Sequence, residues 1–467
     1  MLQHQGNNRL MKTIAGICVA VFLAICNRYS RVLAQTAPEP AEKPAVSTTT
    51  NSEPLQVSEQ SWNWHVQNTD IVDGHPAYPA KYSGPNSLRS DSELQETVSL
   101  DLLLGARLWY GAEAHIDGLM WQGFGFTRTL GIEAFPNAEA YRVGTMVPNV
   151  VFSRVFIRQT IGLGGETEAV EDDALHLAGQ QDVSRLTFTI GKFSAKDIFD
   201  NNAYANDQRS QFMSWALVAN EAWDYPADSL GFTTGAAAEL NQPHWTARYG
   251  FFQVPRVSNG LAQDSSYLRA WAMVSELEGR WTFLEHPGAV RLLGYLNRAH
   301  MGSYGEVADN PGLGGNITLT RAYRYKYGIG LNIEQEIVKG LGAFSRIGWS
   351  DGRNEAWMYS DVDHSASIGL SVNGRFWNRT NDTFGVAGVL SGISRVHRDF
   401  LAVGGTGILA GDGALNYALE QSIETYYDCQ VWKTIHLAFD YQFINHPAFN
   451  RDRGPVSVFG GRLHWEF

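Results

Sequence analysis

Paired carboxylates and scattered basic side chains are the residues of this chain that could do chemistry. Glu334 and Glu336 stand two apart, and Glu420 and Glu424 four apart. Side chains alternate between the two faces of a β-strand, so each pair shares a face. Arg154, Arg158, Lys192 and Arg248 fall on the matching parity of other alternating stretches. A glycosidase needs two carboxyl groups flanking one bond, but Glu420 and Glu424 would lie about 13 Å apart along an extended strand. Same-face carboxylates that meet water more often line a pore. The chain contains no Gly-x-Ser-x-Gly and no His-Glu-x-x-His, the local signatures of serine hydrolases and zinc proteases. No enzyme is expected, and no cofactor or metal. Residues 191–207 are rich in Asn and Asp, but they lack the central Gly and closing Glu of an EF-hand.

Charges of both signs beside aromatics suit a neutral polyhydroxyl solute better than an ion, for which a pore skews to one sign. Arg and Glu exchange hydrogen bonds with hydroxyls, and an aromatic face covers the apolar face of a sugar ring. The expected constriction set is Arg154, Arg158, Lys192, Arg248, Glu334, Glu336, Glu420 and Glu424. Glu424 is expected at the narrowest ring, held there by Arg154 or Arg158.

The elements that must carry these residues are short and alternating. At the C-terminus Phe459, Leu463, Trp465 and Phe467 share one parity, while Arg462, His464 and Glu466 share the other. Ile435, Leu437, Phe439, Tyr441 and Phe443 oppose His436, Asp440 and Gln442. Similar stretches begin at Trp62 and recur near Val98, Ala112, Ser153 and residues 185–192, 230–239, 245–252, 267–280 and 288–298. They continue at Tyr327, 341–349, Ala366, 383–392 and 418–427. The two C-terminal stretches bring the total to sixteen, each about the length a tilted strand needs to cross a bilayer. The polar parity could not form a dry core, whereas a closed barrel gives it a wet lumen and leaves no sheet edge. The fold class is all-β: a transmembrane antiparallel barrel of about 16 strands over residues 62–467.

The N-terminus fits export. Arg9 and Lys12 precede an apolar run over residues 14–25, too short to span a bilayer as a helix, and Val32-Leu33-Ala34 resembles a cleavage site. Residues 1–34 read as a signal peptide. Residues 35–61 hold Pro38, Pro40, Pro44 and Pro54 and little to bury, so a disordered periplasmic linker is expected. Loss of the leader removes four basic and no acidic residues, taking the charge from −12 to −16. That argues against a nucleic-acid partner. Cys18 and Cys26 leave with the leader, so Cys429 stands alone and there is no disulfide framework. Mean hydropathy is −0.23, which excludes a bundle of apolar helices.

Several blocks of the barrel are similar to a known family. Residues 191–207 carry Gly191-Lys192-Phe193, then Asp197-x-Phe199-Asp200-x-Asn202-x-Tyr204-Ala205. Phe212-Met213-x-Trp215, Trp223-Asp224-Tyr225-Pro226-Ala227-Asp228 and Arg248-Tyr249-Gly250 follow. So do Glu420-x-x-x-Glu424-Thr425-Tyr426-Tyr427, Asp440-Tyr441-Gln442-Phe443-Ile444-Asn445-x-Pro447 and the Phe467 terminus. In that order they resemble the carbohydrate-selective porins of the OprB family, over roughly residues 62–467. The resemblance implies passive diffusion of small sugars, usually mono- and disaccharides, across a Gram-negative outer membrane, with no cofactor. The partners it implies are outer-membrane lipid, small carbohydrates and, through Phe467, the barrel-assembly machinery. The alternatives are a general small-solute porin, an exporter of anionic polysaccharide, or a barrel plugged by its own loops. Residues 164–182 read as an insertion.

Overall fold

Alternation of apolar and polar side chains leaves each strand with one face for lipid and one for water, and only closure satisfies both edges. The computed structural model describes residues 59–140 and 144–467. The expected leader and nearly all of the expected linker lie outside the described residues. Sixteen strands pair edge to edge into a closed antiparallel barrel. The first eight barrel strands are β1 (Trp62–His75), β2 (Glu93–Trp109), β3 (Ala112–Gly123), β4 (Thr145–Gly162), β7 (Arg185–Phe193), β8 (Thr233–Gln242), β9 (Trp245–Phe252) and β10 (Trp271–Phe283). The other eight are β11 (His286–Met301), β12 (Ala322–Val338), β13 (Leu341–Ser350), β14 (His364–Asn373), β15 (Thr383–Gly392), β16 (Glu420–Trp432), β17 (Ile435–Asn445) and β18 (Val456–Glu466). Between β4 and β7, β5 (Thr167–Val170) and β6 (Gly179–Asp182) form a separate two-stranded ribbon.

Each of the sixteen alternating stretches falls on one barrel strand, in order. Three begin later than the sequence suggests, β16 by two residues, at Glu420 rather than 418, and β8 and β10 by more. β8 starts at Thr233 rather than 230 because Asp228 Oδ1 still accepts from the Leu230 and Phe232 amides, holding a turn. β10 starts at Trp271 rather than 267 because the Ser266 carbonyl accepts from the Arg269 and Ala270 amides. β1 closes on β18, from Gln67 opposite Glu466 to Gly74 opposite Phe459.

The two ends of the barrel differ. Both chain ends of the barrel lie at one end, where five connections are two residues long: 110–111, 243–244, 284–285, 339–340 and 433–434. This turn end faces the periplasm in bacterial outer-membrane barrels. Trp62, Trp109, Trp245, Phe283, Trp432 and Phe467 stand exposed around it, as an interfacial girdle requires. Above them Leu277, Leu292, Ile329, Ile347, Ile368 and Ile423 face outward, a continuous apolar surface that lipid covers. The other end carries the long loops. Two of them, described over residues 124–140 and 194–232, bring Phe135, Phe212, Trp215, Leu217 and Trp223 into the main buried cluster inside the barrel.

Candidate functional site

Residues 194–232 leave β7 and turn inward because their backbone and side chains find fixed partners on the lumen wall. Ser194 caps a single helical turn (Ala195–Asp197), with its amide donating to Asp197 Oδ2 at 3.0 Å. The same Asp197 receives the Arg154 fork at 2.9 and 2.8 Å, and Arg154 also donates to Asp117 at 2.8 Å. Further along, Asp200 is buried against Arg346, whose Nε lies 3.1 Å from both carboxylate oxygens. Asn332 donates to Asp200 Oδ1 at 2.8 Å, and Glu276 accepts from the Asp200 amide at 2.8 Å. Glu334 accepts from the Ala203 amide at 2.7 Å. Arg462 donates to the Gln208 and Gln211 carbonyls at 2.8 and 2.7 Å and pairs with Asp428 at 2.9 Å.

Glu420 and Glu424 belong to this set of anchors. Glu424 is fully buried, and its oxygens accept from the Met213 and Ser214 amides at 2.5 and 3.0 Å. Glu420 accepts from the amides of Glu133, Ala134 and Ala448 at 3.1, 2.6 and 2.6 Å. The expectation that Glu424 lies in the open lumen and meets solute is therefore corrected: backbone N–H groups occupy both oxygens. Nor do Arg154 or Arg158 hold it. Arg158 donates to the Leu175 carbonyl at 2.7 Å, at the turn end. Lys192 is corrected as well. It shares the parity of the exposed Phe188 and Ile190, while Thr187 and Thr189 face inward, so it sits on the outer face and donates to the Phe152 carbonyl at 2.9 Å.

The two inward loops are bound to each other. Ser214 Oγ donates to the Ala134 carbonyl at 2.7 Å, and the Ala138 amide to the Met213 carbonyl at 2.9 Å. Glu139 collects Arg209 at 3.0 Å, Gln208 at 2.6 Å and Ser99 at 2.6 Å. Together the loops block part of the lumen and leave a cavity of about 500 Å³ beside Gln67 of β1, Leu103 of β2, Arg154 of β4 and Glu466 of β18.

One side of this cavity is charged, with Arg154, Asp197, Lys196, Arg209 and Glu139. Every guanidinium there is matched: Arg209 joins Asp101 at 2.5 Å and Glu139 at 3.0 Å. The other side is aromatic. Trp215 and Tyr359 stack with centroids 4.8 Å apart and planes at 16°, and Tyr225 lies 5.0 Å from Tyr359. Lys196 Nζ stands 5.9 Å from the Trp215 ring, and the Arg154 guanidinium 5.1 Å from that of Phe232. Tyr359 holds φ at 58°, a left-handed conformation that non-glycine residues adopt only where the surroundings enforce it.

Lys196 is half-buried, with its ammonium donating to the Val218 and Asn206 carbonyls. Burial, and then the positive charge of Arg346, push its pKa down to about 7. The ammonium is thus charged below about pH 7 and neutral above it. Cation preference should rise between about pH 6 and about pH 8 as this positive charge disappears. Reversal potentials across a salt gradient read the change, and Lys196→Met should remove that step. An unchanged step in the variant would assign it elsewhere.

The remaining expected residues are spread along the wall. Arg248 meets Glu239, Glu276 and Glu278 at 3.0, 2.8 and 3.0 Å. Glu334 pairs with Arg291 at 3.2 Å and lines a separate cavity of about 700 Å³ with Tyr204, Arg280 and Trp281. Glu336 sits at the turn-end rim, accepting from His286 and the Gly340 amide at 3.0 Å each. Of the eight, Arg154 alone lines the charged-and-aromatic cavity. Lys196 and Asp197 lie in the Asn- and Asp-rich run 191–207, and Trp215 and Tyr225 in the family-like blocks that follow, which were the available signals; Arg209 and Tyr359 lie outside both. Among the described residues no group of three or more His, Cys, Asp or Glu is placed to hold a metal ion.

The family model described as carbohydrate-selective porin, OprB family, matches residues 85–467. No curated protein sequence matches. A high-pH structure of Pseudomonas putida OprB superposes with a TM-score of 0.65 at 16% identity, covering 87% of this chain and 94% of that one. A low-pH structure of the same protein gives 0.46 at 13% identity, covering 87% and 93%. The first likeness supports the sixteen-stranded fold.

Proposed function

Since this chain belongs to the OprB family of carbohydrate-selective porins, and so is an outer-membrane channel for sugars, we propose that selection occurs in the cavity between Arg154 and Trp215. The observation that carries this reading is the pairing of two chemistries across one space. Arg154, Lys196 and Asp197 supply fixed donors and acceptors, while the packed rings of Trp215, Tyr225 and Tyr359 supply aromatic lining. A pyranose has hydroxyls around its edge and C–H groups on its faces, so it can meet both walls at once. Because each arginine is already matched by carboxylates, the cavity offers no unmatched guanidinium to hold an anion, which favours a neutral solute. Export of an anionic polysaccharide would need an unmatched basic track, and Arg248 is itself surrounded by three glutamates.

We read the protein as a channel without catalysis. Glu420 and Glu424 are occupied by loop amides and cannot flank a glycosidic bond. Phe467, exposed at the turn end, is our candidate contact for the barrel-assembly machinery.

Sugar block of ion current in planar bilayers tests the site. Trp215→Ala and Arg154→Gln should each weaken block by roughly tenfold, the equivalent of about 1.4 kcal/mol. Block of parental strength in both variants would remove the cavity from the sugar path.

A further inference from the structure

Five of the turn-end connections are two residues long, but residues 163–184 are not. They leave β4, form the β5–β6 ribbon, and return to β7. The tip of this hairpin does not hang free below the barrel. It reaches across to β1, where Asn63 donates to Asp172 Oδ1 at 2.7 Å, to the Asp173 carbonyl at 3.1 Å and to the His176 carbonyl at 3.0 Å. His65 meets the same Asp172 oxygen at 3.2 Å. Three strands along the wall from β1, on β4, Arg158 donates to the Leu175 carbonyl at 2.7 Å. Asn63, His65 and Arg158 all have lumen parity, so the tip is gripped from inside the mouth. Leu177 is buried, and Leu175 packs against the main inner cluster. Asp173, Ala174, Leu175 and His176 line the same cavity as Arg154 and Trp215, together with Gln67 and Glu466 near the turn-end rim.

We propose that this hairpin is the exit filter of the channel, a strap across the periplasmic mouth whose tip sets the largest solute that can leave the sugar cavity. The proposal builds on the sugar path given above, but it rests on different residues. The inward loops of the other end decide which chemistry is held, and the strap decides which length passes. An unbranched sugar emerging past Arg154 meets Asp173 and His176 next, and a longer chain must thread between them and the β1 wall.

Two variants test this. In one, residues 164–183 are replaced by Asn-Gly, the turn that suits a two-residue hairpin. In the other, Asn63→Leu removes three of the tethers without cutting the chain. Single-channel conductance in potassium chloride and liposome entry of a glucose-oligomer series are measured for each. Without the strap, conductance should rise roughly twofold or more, because the narrowest section limits flux, and the size limit should move to longer oligomers. Asn63→Leu should give an open level that fluctuates between the parental and the widened values. Parental conductance and size limit in the shortened channel overturn the proposal. If the shortened chain does not fold, a steady parental level in Asn63→Leu overturns it. A widened exit combined with Trp215→Ala channels of parental sugar block would keep the strap and discard the sugar cavity.

Discussion

Channels carrying Glu424→Leu or Glu420→Leu are expected to conduct more current than the parent, with a noisier open level and weak sugar block. The barrel ladder does not involve these side chains, so heat-modifiable migration should persist. What changes is the lumen. Glu424→Leu leaves the Met213 and Ser214 amides buried without acceptors, and Glu420→Leu does the same to Glu133, Ala134 and Ala448. Each orphaned amide costs about 1–3 kcal/mol, and two or three of them at one anchor loosen the seating of the segment. Release opens the lumen beside the sugar cavity. If Glu424 instead touched solute, the milder Glu424→Gln would weaken sugar block while leaving conductance at its parental value. Planar-bilayer recordings separate the two results.

The second large effect is on assembly. Phe467→Asp should sharply reduce folded barrel in the outer membrane while leaving export to the periplasm intact. The backbone of Phe467 pairs with Val66 in both directions, at 2.9 and 3.1 Å, and its ring leans on Trp465 with centroids 5.5 Å apart. Those backbone bonds survive the substitution. An acidic side chain at the membrane boundary costs at most about 1 kcal/mol in stability, too little to empty the membrane of folded protein. Purified Phe467→Asp refolded into lipid vesicles should therefore unfold in urea close to the parent. Poor yield in cells with near-parental stability in vesicles would assign the ring to recognition. Normal yield in cells would show that the terminal aromatic is dispensable for closing the barrel.

The barrel was legible because lipid on one side and water on the other write a period of two into every strand. Phe439, Tyr441 and Phe443 against Asp440 and Gln442 state it in five residues. The site was much less legible. Arg154 and Glu424 look alike in sequence, each a lumen-parity charge among polar neighbours. One borders the cavity and the other is sealed beneath Met213 and Ser214. The difference lies in where residues 194–232 settle, and that depends on partners such as Arg346, Asn332 and Arg462, more than a hundred residues away. Lys192 was misassigned against a legible pattern: Leu186, Phe188 and Ile190 share its parity, so the alternation of β7 already places it on the outer face.

The anchoring of the inward loops fixes an order of events in biogenesis. Met213 meets Glu424 across 211 residues of chain, Pro136 meets Gln442 across 306, and Gln208 meets Arg462 across 254. A loop made early in synthesis must wait for strands made last before its amides find acceptors, and contacts so distant in sequence are slow to form. The sieve is therefore seated no earlier than the strands that close the barrel. A chain arrested with β16–β18 unpaired would hold a wide, unselective opening, so the strands that seal the cylinder are also the ones that make it safe for the cell to keep.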